Sequence, residues 1–414
     1  MNRPQANTTG GDQSVLLLGD SRMAFPIAKA LHKQGVNVSA GVSIYSNYLE
    51  WSRYVSQTFA HPSTDAGTDE ALPVILDWLD QNPQIDVIQP VSESASRLIL
   101  RHRATFEQYA RLVMPASQTV ELCANKGEMF RLCEKLKIPL APFERVHSLD
   151  ALFGASRRIG FPLIVKPSTV DAELFGRKAI IARSEQDLVE VFSVWPDLHP
   201  ELIIQKFVKG PRLSVIFSAQ EGKLLKAVAV SARRTHEEDG TGYTVLGVTV
   251  APTPVIQQAT ERLVGALDYI FTGCAQFIVD PDTGETTFME INPRTSLARI
   301  SEAAGVPHSV LGLRQALGET ILDQGDPWAT KLGVRYVWTK GDLMRLKRGV
   351  ASGMKTWSDA MFELPILMLD ACRAHHAIFD PVDPMPMIGT YLNVVLKRIR
   401  RPKGAQFQTR TALR

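Results

Sequence analysis

Apolar residues recur along this chain in two rhythms. Short runs bounded by glycine, proline or polar clusters read as strands, and longer stretches with apolar positions three or four apart read as helices. The spacing predicts a buried strand over 15–19, a helix through Gln34 ended by Gly35, a strand over 36–42 and another over 85–91. This βαβ opening predicts an α/β unit, a doubly wound Rossmann-like sheet. Met114-Pro115 reads as a linker. A helix over 118–139 follows, then helix and strand in alternation through Lys166, strands over 179–182 and 202–208, and a helix capped by Ser184. Next come strands over 213–217, 224–230 and 244–250, a polar loop at 233–242 and a helix over 254–271. Strands that follow strands, with helices beside them, suit an α+β unit. Beyond residue 319 the pattern weakens to helices over 338–348 and 365–376 and a rigid proline-rich loop at 380–386. The implied layout is a disordered start at 1–14, a doubly wound domain at 15–116, a second domain at 117–320 and a helical extension with a basic tail at 321–414.

Composition narrows the class more than the function. With 414 residues, 45% of them hydrophobic and 21% charged, the chain is ordinary globular protein. A formal charge of +3 gives no reason to invoke nucleic acid. Cys123, Cys133, Cys274 and Cys372 show no paired metal spacing, which suits a reducing, cytoplasmic setting. No signal peptide is visible and no apolar run reaches the length of a membrane span. Residues 397–414 hold seven basic side chains and no acidic one. A solvated tail is the simpler reading there, and contact with acidic lipid the alternative. Nothing in the pattern sets the oligomeric state.

The chemistry concentrates in one predicted hairpin. Residues 274–279 and 286–292 are apolar and β-prone, and Asp280-Pro-Asp-Thr-Gly-Glu285 between them is turn material. A turn centred near Thr283 sets Gln276 opposite Glu290, and a period of two places Asn292 on the same face as Glu290. One carboxylate and two amides are hard oxygen donors of the kind magnesium accepts when phosphates and water complete its shell. Arg294, just past Pro293, could clamp an anion with its planar fork. Read as structure alone, the same string is a strand running into a turn. Lys166 ends an apolar strand and needs an anionic partner or an exit to water. Pro90 to Glu93 either faces a cleft at a strand C-terminus or simply caps the next helix.

Gln276, Glu290, Asn292, Pro293 and Arg294 resemble the metal-binding signature of ATP-grasp ligases, particularly the carbamoyl-phosphate-synthetase-like branch, which also has Gln at the first metal position. The stretch from Thr295 to Pro307 is similar to the helix and turn after that signature. Asn125-Lys126 and Lys166 resemble the two nucleotide lysines, and Gln205-Lys206-Phe207-Val208 the hinge that holds adenine. The resemblance runs from about Val15 to Glu319. It implies a pre-ATP-grasp domain followed by an ATP-grasp fold of two α+β subdomains, the lid at about 140–205. Two features depart from the pattern: the loop at 168–176 has one glycine and two acidic residues, and Arg212 stands where an acidic ribose contact is common.

The resemblance also implies a reaction. A substrate carboxylate is activated by ATP as an acyl phosphate, and an amine then displaces phosphate. Glu290 would bridge magnesium ions, or manganese, with Gln276 and Asn292 completing the protein ligands. Lys126 and Lys166 would hold phosphates, and Arg294 the transferred phosphoryl group. Arg233, Arg234, His236 and Tyr243, on the polar loop, could reach a small carboxylic acid. Carbamoyl phosphate formation ranks below this reading. From another class, the alternative is a catalytically silent ATP-binding regulator or scaffold, which the glycine-poor loop favours.

Overall fold

A computed structural model of the chain describes residues 13–19, 21–43, 48–64, 67–169, 172–196, 199–237, 240, 242–321 and 324–399. Its first sheet is entirely parallel and has the order β3-β2-β1-β4-β5. Its elements are β1 (Ser14–Leu18), α1 (Ala24–His32), β2 (Asn37–Ser43), β3 (Gln57–His61), α2 (Ala71–Gln81), β4 (Val87–Pro90), α3 (Glu93–Arg101), α4 (Arg103–Phe106) and β5 (Arg111–Leu112). β1 is buried on both faces. Leu16 and Leu18 pack with Ile75 and Leu79 of α2 and Leu98 and Ile99 of α3, while Val15 and Leu17 pack with Phe25 and Ile27 of α1. The chain leaves β1 on one side for β2 and on the other returns to β4, which opens a crevice at the strand C-termini. Gly19, at φ 115°, ends β1 where any Cβ would collide with the Ser92 hydroxyl. The sequence analysis assigned neither β3 nor α2; Gln57–His61 is a short edge strand of mixed polar and apolar residues, with His61 its one buried side chain.

A second, four-stranded antiparallel sheet follows, ordered β6-β9-β7-β8. It comprises β6 (Phe143–Val146), β7 (Leu163–Pro167), β8 (Ile180–Ala182) and β9 (Leu202–Lys206), covered by α7 (Leu149–Ile159) and α8 (Glu185–Val191). The single helix predicted over 118–139 is two, α5 (Ser117–Ala124) and α6 (Lys126–Lys135). Asn125 breaks it: its backbone is extended (φ −95°, ψ 99°), and its side-chain oxygen accepts the Glu128 N–H at 3.1 Å and so caps α6. The predicted strand to Val208 ends at Lys206, where the Phe207 N–H turns to the Pro162 carbonyl.

The largest sheet has the order β14-β13-β10-β11-β12-β15-β16 and is antiparallel apart from its last pair. Its strands are β10 (Arg212–Gln220), β11 (Lys223–Thr235), β12 (Thr244–Val250), β13 (Phe271–Val279), β14 (Thr286–Asn292), β15 (Arg335–Val337) and β16 (His375–His376). The helices are α9 (Pro254–Ala266), α10 (Ala298–Ala304), α11 (His308–Ala316), α12 (Thr339–Ala351), α13 (Trp357–Cys372) and α14 (Met385–Ile399). One face packs Val215, Phe217 and Phe277 against α6 and α9; the other packs Ile216, Val228 and Cys274 into the same core as β1 and α1. The parallel sheet and the large sheet therefore share one core.

Three expectations change here. β11 runs to Thr235, so Arg233 and Arg234 lie on a strand and not on a polar loop. The helix predicted over 254–271 stops at Ala266, because Asp268 turns left-handed (φ 42°) and frees Phe271 to begin β13. The helix predicted over 365–376 begins eight residues earlier at Trp357, started by a capping box in which Thr356 and Asp359 bond each other's backbone N–H; Pro365 lies inside it and its end is the short strand β16. The start at 1–12, the tail from 400 and parts of the loops at 168–176 and 233–242 lie outside the described residues. Among the described residues no helix is long and apolar enough to cross a membrane.

Arg234 ties this architecture together. Its Nε and Nη2 donate to the Asp342 carboxylate at 2.6 and 3.0 Å, and its Nη1 donates to Asp370 at 3.1 Å, where Arg335 also donates at 2.7 Å. Asp342 is almost fully buried. Asp342→Ala leaves a buried guanidinium short of its main counter-charge, so we expect a loss of about 3–5 kcal/mol of stability, read from urea unfolding.

Candidate active site

Strand register builds the centre of the site. Gln276 of β13 pairs directly with Glu290 of β14, and Phe277 pairs with Phe288, so Met289 is bulged out of the ladder. The turn is an Asx turn: Asp280 Oδ1 accepts the N–H groups of Asp282 (2.8 Å) and Thr283 (3.1 Å), which hold its carboxyl below the usual range. Asn292 Nδ2 donates to Glu290 Oε1 at 2.9 Å. Gln276, Glu290 and Asn292 thus come together on one face, all half-buried. Phe277 and Phe288 back them from the core, 5.7 Å apart edge to face. Among the described residues no three His, Cys, Asp or Glu side chains gather as a metal cage; this donor set has one carboxylate and two amides.

Lys166 enters from the four-stranded sheet. Its Nζ donates to Gln205 Oε1 at 2.9 Å and lies 4.8 Å from the centroid of the Phe130 ring on α6. Gln205 in turn donates to the Ala141 carbonyl. Part of the Lys166 side chain still meets water, but protein surrounds most of it. That desolvation, with repulsion from Lys126, lowers its pKa from 10.5 to about 7 against the attraction of Glu290. Lys126 opens α6, its N–H bonded to the Ser168 carbonyl and its Nζ to the Thr169 carbonyl at 3.0 Å. Both lysines therefore border the loop that follows β7.

The hinge residues divide. Gln205 serves Lys166. Lys206 Nζ donates to the carbonyls of Phe161 (2.8 Å) and Gly160 (3.3 Å), tying β9 to that turn. Phe207 and Val208 follow the strand as irregular backbone.

Arg294 reaches the parallel sheet. Its Nη2 lies 3.3 Å from Glu93 Oε2, and Nη1 donates to Ser296 Oγ at 3.4 Å. Glu93 is the first residue of α3, and the Ser92 hydroxyl caps that helix by accepting the Ala95 N–H at 3.1 Å. Of the two readings of Pro90 to Glu93, the cap is observed at Ser92, while Glu93 contacts Arg294 at the hairpin end.

Sequence reasoning undervalued two arginines. Arg212, at the start of β10, sits near Glu290; its Nη2 donates to the Gly242 carbonyl at 2.6 Å, while its buried Nε has no partner among the described residues. Burial lowers its pKa against the pull of Glu290. Arg22, beyond β1, lies 4.2 Å from the Trp338 ring centroid and 5.1 Å from that of Tyr243, with its Nε donating to the Tyr336 hydroxyl at 3.2 Å. His236 packs on Tyr243 at 5.3 Å. Of the four residues expected to reach a carboxylic acid, His236 and Tyr243 thus join a cationic, aromatic corner. Arg234 does not, being held by Asp342 and Asp370. An arginine just past the C-terminal end of β1 was the available signal, read in the sequence only as a helix start.

Residues 125–324 match the family described as carbamoyl-phosphate synthase L chain, ATP binding domain. The arginine-specific, mitochondrial large chain of carbamoyl phosphate synthase from Neurospora crassa is 23% identical over 279 residues, 62% of this chain. The chain spans about a quarter of that relative's length, 24%. Among solved structures, biotin carboxylase from Campylobacter jejuni superposes with a TM-score of 0.61 at 14% identity, over 78% of this chain and 74% of that one. L-amino acid ligase from Bacillus licheniformis does so with 0.59 at 15% identity, over 79% of each. The latter two likenesses concern the fold.

The lysine at the centre gives a measurable signature. Its folded pKa lies below its unfolded value, so between pH 7 and 10.5 the unfolded chain holds more protons and stability rises with pH. Below pH 7 both states carry the charge, and the folded protein bears the full cost of burying it. Lys166→Met removes that cost. The variant should unfold at higher urea than wild type at neutral pH, and the gap should close as pH rises towards 10.5.

Proposed function

We propose that this chain, whose residues 125–324 match the carbamoyl-phosphate synthase ATP-binding domain, is an ATP-grasp protein, an ATP-dependent ligase joining a small carboxylic acid to an amine. The parallel sheet would be the pre-ATP-grasp domain, and the two antiparallel sheets the ATP-grasp subdomains that close on the nucleotide. A substrate carboxylate oxygen attacks the γ-phosphorus and ADP leaves; the amine then attacks the acyl carbon, and phosphate leaves with the amine's proton passed to solvent. The pairing of Gln276 with Glu290 carries this reading.

The donor set fits a magnesium ion that takes few protein ligands and fills its octahedron with phosphate oxygens and water. Manganese accepts the same hard donors. Bound metal supplies charge neutralisation on phosphate oxygens, and the rest falls to the chain. Glu290 contributes the one negative charge, with Gln276 and Asn292 as neutral oxygen donors. Lys166, positioned by Gln205 and Phe130, offers a compact cation to the transferred phosphate, and Lys126 to its neighbour. Arg294, now against Glu93, would hold the reacting group. Arg212, with a buried donor left over, adds positive potential beside Glu290. Phe207 and Val208 present backbone to adenine, flanked by Gln205 and Lys206. The corner of Arg22, His236, Tyr243 and Trp338 would take the acid at the C-terminal edge of the parallel sheet. We place the protein in the cytoplasm, in keeping with four free cysteines.

A silent nucleotide-binding regulator is the second reading. Favouring it, the loop after β7 is anchored by fully buried Leu174 and has few glycines to cradle phosphate.

ADP release from Mg-ATP, with pooled amino acids and small carboxylic acids, separates the two. We expect pool-dependent ADP that falls about a hundredfold or more in Glu290→Ala, as for loss of a group stabilising transition-state charge. A contaminating ATPase would survive that change. Mg-ATP binding without any pool-dependent ADP supports the regulator, and failure to bind Mg-ATP defeats both.

A further inference from the structure

α13 is oriented inside out. Its acidic residues Glu363 and Asp370 face the body of the protein, where Arg345 and Lys355 hold the first and Arg234 and Arg335 the second. Leu367 and Ala360 fill the space beside them. Those ion pairs fix the helix's rotation, and the outcome is that Trp357, Met361, Phe362, Ile366, Met368 and Leu369 point away from the protein. A large aromatic side chain has about 150–250 Å² of surface, so six side chains exposed to between 50% and 79% present on the order of 800 Å². At 3.6 residues per turn they form two stripes, Trp357, Met361 and Met368 on one and Phe362, Ile366 and Leu369 on the other.

The arrangement along the helix says what fits it. Asp359, Phe362, Ile366, Leu369 and Arg373 follow one another at steps of three and four residues, the spacing of a helix-pairing seam. The apolar centre is Phe362, Ile366 and Leu369; an exposed acid and an exposed base stand at its two ends. Ile366 lies midway between Asp359 and Arg373. An antiparallel copy related by a two-fold axis at Ile366 therefore sets each Asp359 against the other copy's Arg373, about 21 Å from its own. A seam with opposite charges at its ends complements itself, as a two-fold interface requires. A lipid surface would favour basic residues at both ends.

We infer that the outward face of α13 is a homodimer interface in which two copies of this helix pack antiparallel about Ile366. It stands independently of the ligase reading.

Sedimentation velocity of the full chain over a concentration series tests it. Wild type should associate to a dimer, and Phe362→Asp with Ile366→Asp should stay monomeric with unchanged circular dichroism and thermal unfolding. Arg373→Asp places two acids together at each end and should weaken association by roughly tenfold or more. Asp359→Asn keeps the helix cap but removes the charge, so adding it to Arg373→Asp should return part of that loss. A wild type that stays monomeric throughout overturns the inference. So does association unmoved by the apolar substitutions, or a loss in Arg373→Asp that Asp359→Asn fails to relieve. Monomer that binds vesicles of phosphatidylserine and phosphatidylcholine instead would assign the face to a membrane surface.

Discussion

Gln276 meets Glu290 because one residue, Met289, is left out of the β13–β14 ladder. Side chains alternate across a strand, so a pairing one residue out of step would turn Glu290 towards Phe277 and the core, and bring Phe288 or Met289 to the cleft. Glu290 in the core would lack a partner, and the aromatic pair of Phe277 and Phe288 would lose its burial. The register is held from both sides. The Asx turn at Asp280 sets the loop length, and the Phe288 N–H bonds to the Pro139 carbonyl, which fixes the strand against the end of α6. The proposed metal ligands, the floor beneath Lys166 and the packing of α6 all depend on this one alignment.

Around that hairpin the charges of the described residues do not balance. Among the described residues Lys126, Lys166, Arg212 and Arg294 approach a region where Glu290 and Glu93 are facing acids, and Lys166 and Arg212 are half-buried. Burial pushes the pKa of both downward, which is the price of surrounding most of each cation with protein. An anion with several charges would relieve that strain on arrival. Arg22 extends the same imbalance along the sheet edge, held by ring faces and a phenol in place of a carboxylate. That uneven charge is what the proposed function draws on, a polyanion at one end and a smaller acid at the other.

What the sequence disclosed follows from the range of the interactions involved. The hairpin was legible because its register depends on a local turn and a period of two, both written within twenty residues. The parallel sheet was legible in part, since β1, β2 and β4 are buried on both faces and read as apolar runs. β3 is an edge strand with a mixed pattern and left no such trace. Arg22 and Arg212 were not legible as site residues, because their neighbours come from positions hundreds of residues or several strands away. Arg234 was misread for the same reason. Its polar flanks suggest a loop, yet Asp342 and Asp370, each more than a hundred residues further on, draw it into a strand.

The Arg234 cluster also links two parts of the molecule that look separate in the sequence. Arg234 lies two residues before His236, whose ring packs on Tyr243 in the corner that Arg22 shares. Through Asp370, the same guanidinium sets the rotation of α13 and so decides which of its faces meets solvent. A helix of this composition, left to itself, would turn its Trp, Met, Phe and Ile residues inward. Here the ion pairs prevail because Asp370 and Glu363 each have arginine partners inside, and rotating the helix would leave those arginines without them. The position of the cleft wall and the apolar exterior of α13 thus have one cause, the need of buried arginines for carboxylates.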